Sequence, residues 1–147
     1  MSELSCEHRS HYRYWVPIAT RWMDNDVYGH VNNVTYYSYF DTAANDFLIK
    51  VGGLDIHSGD VIAYVVASRC EYKKAVSFPD QLNIGVRVNR LGTSSVEYGL
   101  AVFRHDEAEA AAFGSFTHVF VSREHERPVP VPEQIRNALE GLADHAG

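Results

Sequence analysis

The chain has 147 residues, of which 46% are hydrophobic and 22% charged, the balance typical of a single globular domain. Its net charge of −6 and the lack of a basic tract argue against a nucleic-acid-binding protein, which must neutralise phosphates. Two cysteines, Cys6 and Cys70, are too few for a disulfide framework and fit no zinc motif. With no apolar leader and no apolar stretch long enough for a transmembrane helix, we expect a cytoplasmic protein with free thiols and no membrane partner.

The predicted structure changes twice within the N-terminal third of the chain, from a flexible segment to a strand and then to a loop. The first 13 residues are polar and predict a flexible segment ahead of one domain over residues 14–147. Residues 14–22, YWVPIATRW, are rich in β-branched and aromatic side chains and predict a strand, which Pro17 favours at a sheet edge or a bulge. The next segment, MDNDVYGHVNN, is dense in Asp, Asn and Gly and predicts a loop.

Residues 34–51 have a helical period and form the best-defined predicted element. Asn32 or Asn33 is the expected N-cap, and the pair Gly52-Gly53 is the expected stop. The apolar positions recur at steps of three and four residues: Tyr36, Tyr37, Phe40, Ala43, Ala44, Phe47, Leu48 and Val51. One face of a long helix should therefore be buried.

The rest of the chain predicts strands. Residues 61–74 begin as a continuous apolar run, which is typical of a strand covered on both faces. Period-two alternation then predicts a hairpin of two strands around residues 91–94, and residues 111–122 predict the last strand. Pro132 should open a short C-terminal helix with an apolar stripe at Ile135, Leu139 and Leu142. A strand, a long helix, a four-strand meander and a short helix together predict an α+β fold with one antiparallel sheet.

The loop RWMDNDVYGHVNN before the long helix is the best candidate for chemistry. A helix N-terminus offers unsatisfied N–H groups and partial positive charge, which can stabilise an oxyanion formed from a carbonyl under attack. A nearby carboxylate, Asp24 or Asp26, can act as a general base or a nucleophile. The alternative is an Asx-rich turn whose side chains only cap backbone groups.

The stretch RWMDNDVYGHVNNVTYYSYFDTA resembles the signature of the hotdog-fold thioesterases of the 4-hydroxybenzoyl-CoA thioesterase family, and HVNN also resembles plant acyl-carrier-protein thioesterases. Downstream, SRCEYKKAVSFPDQLNIGVRVNRLGTSSVEYGLAVFR and GSFTHVFVSREHERPVPVPEQIRNAL resemble later parts of the family. The resemblance implies a hotdog fold, an antiparallel sheet of five to six strands wrapped around one long central helix. It also implies an acyl-CoA thioesterase without a cofactor or metal. Such enzymes are homodimers or homotetramers whose active site forms between subunits.

The resemblance assigns roles to individual residues. Asp26 matches the family's catalytic carboxylate, and the backbone N–H near Asn33 corresponds to the donor that polarises the thioester carbonyl. His30 matches a histidine that works with the carboxylate in the plant-type enzymes, although Tyr28 replaces an Asn that those enzymes carry. The expected substrate contacts are Tyr28, Gly29, Glu71, Lys73 and Lys74.

Several other side chains have competing interpretations. Asp24 is expected to be a structural hydrogen-bonding group, and His118 a core histidine. Ala75 stands where many relatives have proline, which predicts a local change in the strand. Three tyrosines of the long helix could line an acyl pocket or belong to the core or an interface: Tyr36, Tyr37 and Tyr39.

Two other functions remain open from the sequence: a hydratase or dehydratase on the same fold, and a non-catalytic acyl-CoA-binding module. Because CoA is itself a phosphate-bearing anion, an acidic chain should place basic residues locally at the mouth of the site. Three groups are available in the sequence: Arg69 with Lys73 and Lys74, Arg87 with Arg90, and Arg123 with Arg127. The Lys73–Lys74 pair is the predicted patch.

Overall fold

The computed structural model describes residues 7–143. Five strands form one antiparallel sheet: β1 (Tyr14–Ala19), β2 (Val61–Tyr72), β3 (Gln81–Leu91), β4 (Ser95–Arg104) and β5 (Ala112–Ser122). The helices are α1 (Asn33–Lys50) and α2 (Glu133–Ala143). The strand order is β1-β3-β4-β5-β2, and α1 packs on one face of the sheet. The predicted α+β class with one long helix is confirmed. In the described range, neither helix has the length and apolarity needed to cross a membrane.

Strand β2 differs from its prediction in two ways. It pairs with β5 at one edge of the sheet, so the meander contains β3, β4 and β5 and the predicted four-strand meander is wrong. The expectation that β2 is covered on both faces is also wrong for the single chain, because Tyr64, Val65 and Val66 remain largely exposed. The apolar run is therefore not explained by contacts within one chain.

Helix α1 follows its prediction closely. Asn32 is the N-cap, and its side chain accepts a hydrogen bond from the Val34 N–H at 2.9 Å. The helix ends at Lys50, and Gly53 then adopts a positive φ of 76° that favours glycine. Its buried face contains Tyr36, Tyr39, Phe40, Ala43, Ala44, Phe47 and Leu48. Tyr39 was not part of the predicted stripe, and Val51, which was, lies beyond the helix and is exposed.

Strand β1 ends earlier than predicted. It stops at Ala19, and a 3₁₀ turn over Trp22–Asp24 replaces the predicted end of the strand. At this point the Thr20 N–H and hydroxyl both donate to the Asp80 carbonyl, just before β3 begins. Pro17 lies in this edge strand, as predicted.

Residues 7–13 pack across the outer face of the sheet. The Arg9 guanidinium donates to the carbonyls of Arg104 and Glu107 and lies over the rings of Trp15 and Phe103. Tyr12 is buried beneath this segment. The packed part of the chain therefore includes residues that the sequence assigns to a flexible segment, whereas Cys6 and the rest of residues 1–6 lie outside the described residues.

The C-terminal half folds as its pattern predicts. The inward-facing residues of β5 are buried: Phe116, His118 and Phe120. Helix α2 begins directly after Pro132, and its stripe of Ile135, Leu139 and Leu142 joins the main core. The core thus lies between the sheet and the two helices, and the loop before α1 is left at its edge.

Candidate active site

The first carboxylate of the loop, Asp24, is structural. Its side chain is 2% exposed and accepts hydrogen bonds from the Arg21 N–H at 2.9 Å, the Arg21 guanidinium at 3.0 Å and the Tyr39 hydroxyl at 2.8 Å. Burial alone raises the pKa of Asp24, but these hydrogen bonds outweigh it and hold that pKa below its usual value. Asp24 therefore fastens the loop to α1.

The second carboxylate, Asp26, lies in a tight turn closed by the backbone. The Asp26 N–H donates to the His30 carbonyl at 2.8 Å, and the Gly29 N–H donates to the Asp26 carbonyl at 3.0 Å. Gly29 has a φ of 82°, which disfavours any residue with a Cβ. Asp26 Oδ1 accepts from the Tyr28 N–H at 2.9 Å, whereas Oδ2 has no hydrogen-bond partner among residues 7–143. One carboxylate oxygen is fixed and the other is available.

The N-terminus of α1 offers one unused donor. The Val34 N–H donates to the Asn32 side chain and the Thr35 N–H to the Asn32 carbonyl, both at 2.9 Å. The Asn33 N–H, which precedes both, has no acceptor in the described part of the chain. An unpaired N–H in the first turn, at the positive end of the helix dipole, is a suitable donor to an oxyanion.

One cavity of about 480 Å³ brings most of the predicted site residues together. Its lining consists of Asp26, Tyr28, His30, Val31, Asn33, Tyr36, Tyr72, Lys73, Lys74 and Ala75. The His30 ring is exposed and has no hydrogen-bond partner within residues 7–143, so no direct bond joins it to the Asp26 carboxylate. The cavity therefore places a carboxylate, a histidine, a free N–H and two lysines around one volume.

Two predicted contacts lie elsewhere. Gly29 lines an adjoining groove, where its role is to allow the turn. Glu71 forms an ion pair with Arg69 and is not part of the cavity lining, because successive residues of a strand point to opposite faces. Tyr37 and Tyr39 also lie outside the lining, and of the three helix tyrosines only Tyr36 reaches it.

Tyr72 is the site residue that sequence reasoning missed. It is the last residue of β2, and its hydroxyl donates to the Asn33 carbonyl at 3.4 Å across a separation of 39 residues. Its ring packs edge-on against Tyr36, with the ring centres 5.0 Å apart. The sequence offered one indication of its placement. Tyr72 lies two residues after Cys70 and therefore on the same face of β2.

The two lysines of the cavity differ in their surroundings. Lys74 Nζ lies 3.0 Å from Glu107, which also pairs with Arg104, and these cations lower the pKa of Glu107. Lys73 Nζ lies over the Phe113 ring at 5.7 Å and has no carboxylate partner among the described residues. None of the other predicted basic residues lines the cavity: Arg69, Arg87, Arg90, Arg123 and Arg127.

The solvent side of the site is unusually apolar. The adjoining groove is lined by Trp22, Met23 and Val27 along with the turn of Asp26, and Trp22 is 75% exposed. Large exposed apolar side chains around one site are typical of an interaction or ligand-binding surface.

Comparison with known proteins agrees with this architecture. Residues 20–139 match the thioesterase-like superfamily. The chain is 52% identical to the PA5185 protein of Pseudomonas aeruginosa strain PAO1, with a TM-score of 0.94 over 97% of this chain and 100% of that one. The PA2801 protein of the same species is 30% identical, with a TM-score of 0.79 over 85% and 96% of the two chains.

A more distant structure shares the fold. Slr0204 from Synechocystis, a 1,4-dihydroxy-2-naphthoyl-CoA thioesterase, is 17% identical, with a TM-score of 0.79 over 90% of this chain and 98% of that one. At that identity the likeness concerns the fold alone. The expected hotdog fold is thereby confirmed, with five strands in the sheet.

Proposed function

The chain belongs to the thioesterase-like superfamily, and from that premise we propose that it hydrolyses an acyl-CoA thioester to a free acid and CoA. The observation that carries the proposal is a pair of unused groups. Asp26 and Asn33 line the same cavity, and within residues 7–143 the Asp26 Oδ2 has no hydrogen-bond partner and the Asn33 N–H has no acceptor. Hydrolysis of a thioester needs one group that activates the attack and another that stabilises the resulting oxyanion.

The proposed reaction assigns one task to each group. As a general base, Asp26 takes a proton from water while the water oxygen attacks the thioester carbonyl carbon. The Asn33 N–H donates to the carbonyl oxygen as it becomes an oxyanion. When the tetrahedral intermediate collapses, the C–S bond breaks and CoA leaves as the thiolate. If Asp26 acts instead as a nucleophile, its oxygen attacks the carbon, the C–S bond breaks to release the CoA thiolate, and water then hydrolyses the mixed anhydride to the free acid and the Asp26 carboxylate.

CoA is the proposed thiol partner because of the charge at the mouth of the cavity. The phosphates of CoA need cations, and Lys73 has no carboxylate that competes for its charge. Lys74 is the weaker candidate, since Glu107, which also pairs with Arg104, already offsets part of its charge. Tyr28 and His30 are exposed and line the same cavity as these lysines and Asp26.

We also propose that the working form is a homodimer or a larger homo-oligomer. An edge strand with a row of unpaired N–H and C=O groups and exposed apolar side chains is a template for pairing with another chain. Strand β2 has these properties, with Val66 58% exposed at its bulge. Pairing two copies through β2 would cover its apolar run, and the partner would complete the open side of the cavity.

Asp26→Asn tests the function most directly. We expect release of free thiol from a panel of aliphatic and aromatic acyl-CoAs by the wild type, and a decrease of about 10²–10⁴-fold in kcat for Asp26→Asn, the range for loss of a general base. The matched control is Asp106→Asn, which removes an exposed carboxylate from a turn outside the cavity. The control should keep the wild-type rate and the wild-type melting temperature.

Three results would contradict parts of the proposal. Full activity in Asp26→Asn would exclude Asp26 as the catalytic carboxylate. Binding of acyl-CoA without release of thiol from any substrate would favour a binding module. Hydration of an enoyl-CoA by the wild type, lost in the same variant, would favour the hydratase class.

A further inference from the structure

Two tyrosines from different elements form part of the cavity wall. Tyr72 on β2 and Tyr36 on α1 meet at an interplanar angle of 88°, with ring centres 5.0 Å apart. The Tyr72 hydroxyl also reaches the Asn33 carbonyl, so that one side chain spans the gap between the strand and the first turn of the helix. The two rings form a wall directly beside Asp26 and the free Asn33 N–H.

The two rings are held to different degrees. Tyr36 is 2% exposed, and its hydroxyl oxygen is engaged by the backbone of Val76. Tyr72 is 43% exposed, and its hydrogen bond of 3.4 Å is longer than the usual 2.7–2.8 Å between two oxygens. Tyr36 is therefore a fixed part of the core, whereas the Tyr72 ring is partly exposed and less firmly held.

The core side chains that pack near this wall are uncharged. Cys70, the preceding residue on the same face of β2, is half-buried against the main core, and burial raises the pKa of its thiol to about 11. Tyr37 stacks on Phe116 with ring centres 6.0 Å apart. None of these three side chains lines the cavity, so the tyrosine pair separates the cavity from an uncharged interior.

We infer that Tyr72, packed on Tyr36, sets the upper limit on the acyl chain that the site accepts, and that the substrates are short-chain acyl thioesters. This inference rests on the proposed thioesterase function. An acyl group whose carbonyl meets the Asn33 N–H would extend towards the tyrosine pair and end there. A longer chain would have to displace the Tyr72 ring or remain in water.

Tyr72→Ala tests the limit. Each methylene that gains a buried position contributes about 0.8 kcal/mol, or about fourfold in affinity. In a series from acetyl-CoA to palmitoyl-CoA, we expect the wild-type kcat/KM to fall beyond short chains. In Tyr72→Ala the kcat/KM should continue to rise, by about fourfold for each of the first added methylenes. The preferred length should increase by about two carbons or more.

Two matched variants separate the ring from other effects. Tyr72→Phe keeps the ring and removes only the hydroxyl, with its long hydrogen bond to the Asn33 carbonyl and its hydrogen bond with the Cys70 thiol, so it should keep the wild-type length profile. Ile56→Ala removes a similarly exposed apolar side chain from the loop after α1, away from both the cavity and the β2 edge, and it should also leave the length profile unchanged.

A second measurement distinguishes failure of the inference from failure of the proposed function. S-alkyl-CoA thioethers from butyl to dodecyl cannot be hydrolysed, and their affinity by calorimetry reports chain length alone. A shift of the affinity profile in Tyr72→Ala supports the inference even if no thioester is hydrolysed. Identical profiles in the wild type and Tyr72→Ala, for both hydrolysis and thioether binding, overturn it. A shift in Tyr72→Phe as large as in Tyr72→Ala would also overturn it.

Discussion

At the scale of single residues, two carboxylates two positions apart have opposite surroundings. Asp24 is buried and accepts from Arg21 and Tyr39, whereas Asp26 is partly exposed and keeps one oxygen free. The sequence motif alone does not show which of the two aspartates is buried and which is partly exposed. The difference arises because Tyr39 on α1 reaches back across 15 residues to the first carboxylate only.

His118 predicts the pH dependence of stability. Burial lowers its pKa from 6.5 to about 4, and its Nδ1 lies 3.1 Å from the Tyr98 hydroxyl. Because the folded pKa is below the unfolded one, the unfolded chain binds more protons between these values. The free energy of unfolding should therefore fall as the pH drops from about 6.5 to about 4, by about 3 kcal/mol in total.

Urea unfolding at several pH values in that window, for the wild type and His118→Gln, measures this effect. Glutamine does not titrate, so the variant should lose stability less steeply over the same interval. Asp24 and Asp46 also have lowered pKa values, but they lose their contribution only as the pH falls through and below about 3.8, outside the window. Equal slopes for the two proteins would show that His118 is not the group responsible.

At the scale of elements, the N-terminus of α1 connects fold and proposed chemistry. The N-cap is predictable because Asn32 directly precedes a strong helical period. Asn33, the residue after the cap, lines the cavity, and its N–H has no acceptor among the described residues. Helix stability and the proposed oxyanion stabilisation therefore depend on the same turn.

Asn32→Ala should affect both properties. Loss of the cap is expected to lower the free energy of unfolding by about 1 kcal/mol. It should also decrease kcat for thioester hydrolysis, because the first turn no longer holds the Asn33 N–H in place. Asn32→Ser keeps an oxygen acceptor, so it should retain most of the wild-type free energy of unfolding and most of the wild-type kcat.

Asn45→Ala provides the control for this helix. Its amide donates to the Asp41 carbonyl in the middle of α1, far in sequence from the cap. The variant should keep the wild-type kcat. If Asn32→Ala lost stability as expected but kept the wild-type kcat, the helix cap would not be needed to hold the Asn33 N–H in place for catalysis.

At the scale of the whole molecule, the exposed edge of β2 determines the assembly that we propose. Val66→Lys places a charge at the bulge of the free edge, a substitution that disfavours strand pairing. In sedimentation experiments we expect a dimer or larger oligomer for the wild type and a monomer for the variant. The thioesterase activity of Val66→Lys should fall as the oligomer is lost if the partner subunit completes the active site.

Ile56→Lys is the control for that substitution. It adds the same charge at an exposed apolar residue in the loop after α1, outside the sheet. This variant should sediment like the wild type. A wild type that is monomeric and fully active at the assay concentration would refute the proposed role of the β2 edge.

Much of the architecture follows from the sequence alone. The helix period of α1, its cap, the β3–β4–β5 meander and the α2 stripe depend on neighbours within a few residues, so local patterns suffice to predict them. The loop with Asp26 was also predictable, because a dense Asx-Gly segment directly precedes a helix and resembles a known signature.

Only the tertiary structure decided the place of β2, the different roles of the two carboxylates and the identity of the cavity wall. Tyr72 lies 39 residues from Asn33, and Lys74 lies 33 residues from the Glu107 that binds it. Nothing in a local pattern encodes which edge of the sheet a strand joins, because that choice depends on long-range pairing. The sequence by itself therefore determined the fold class and the catalytic candidate, and the packing of distant segments decided what surrounds that candidate.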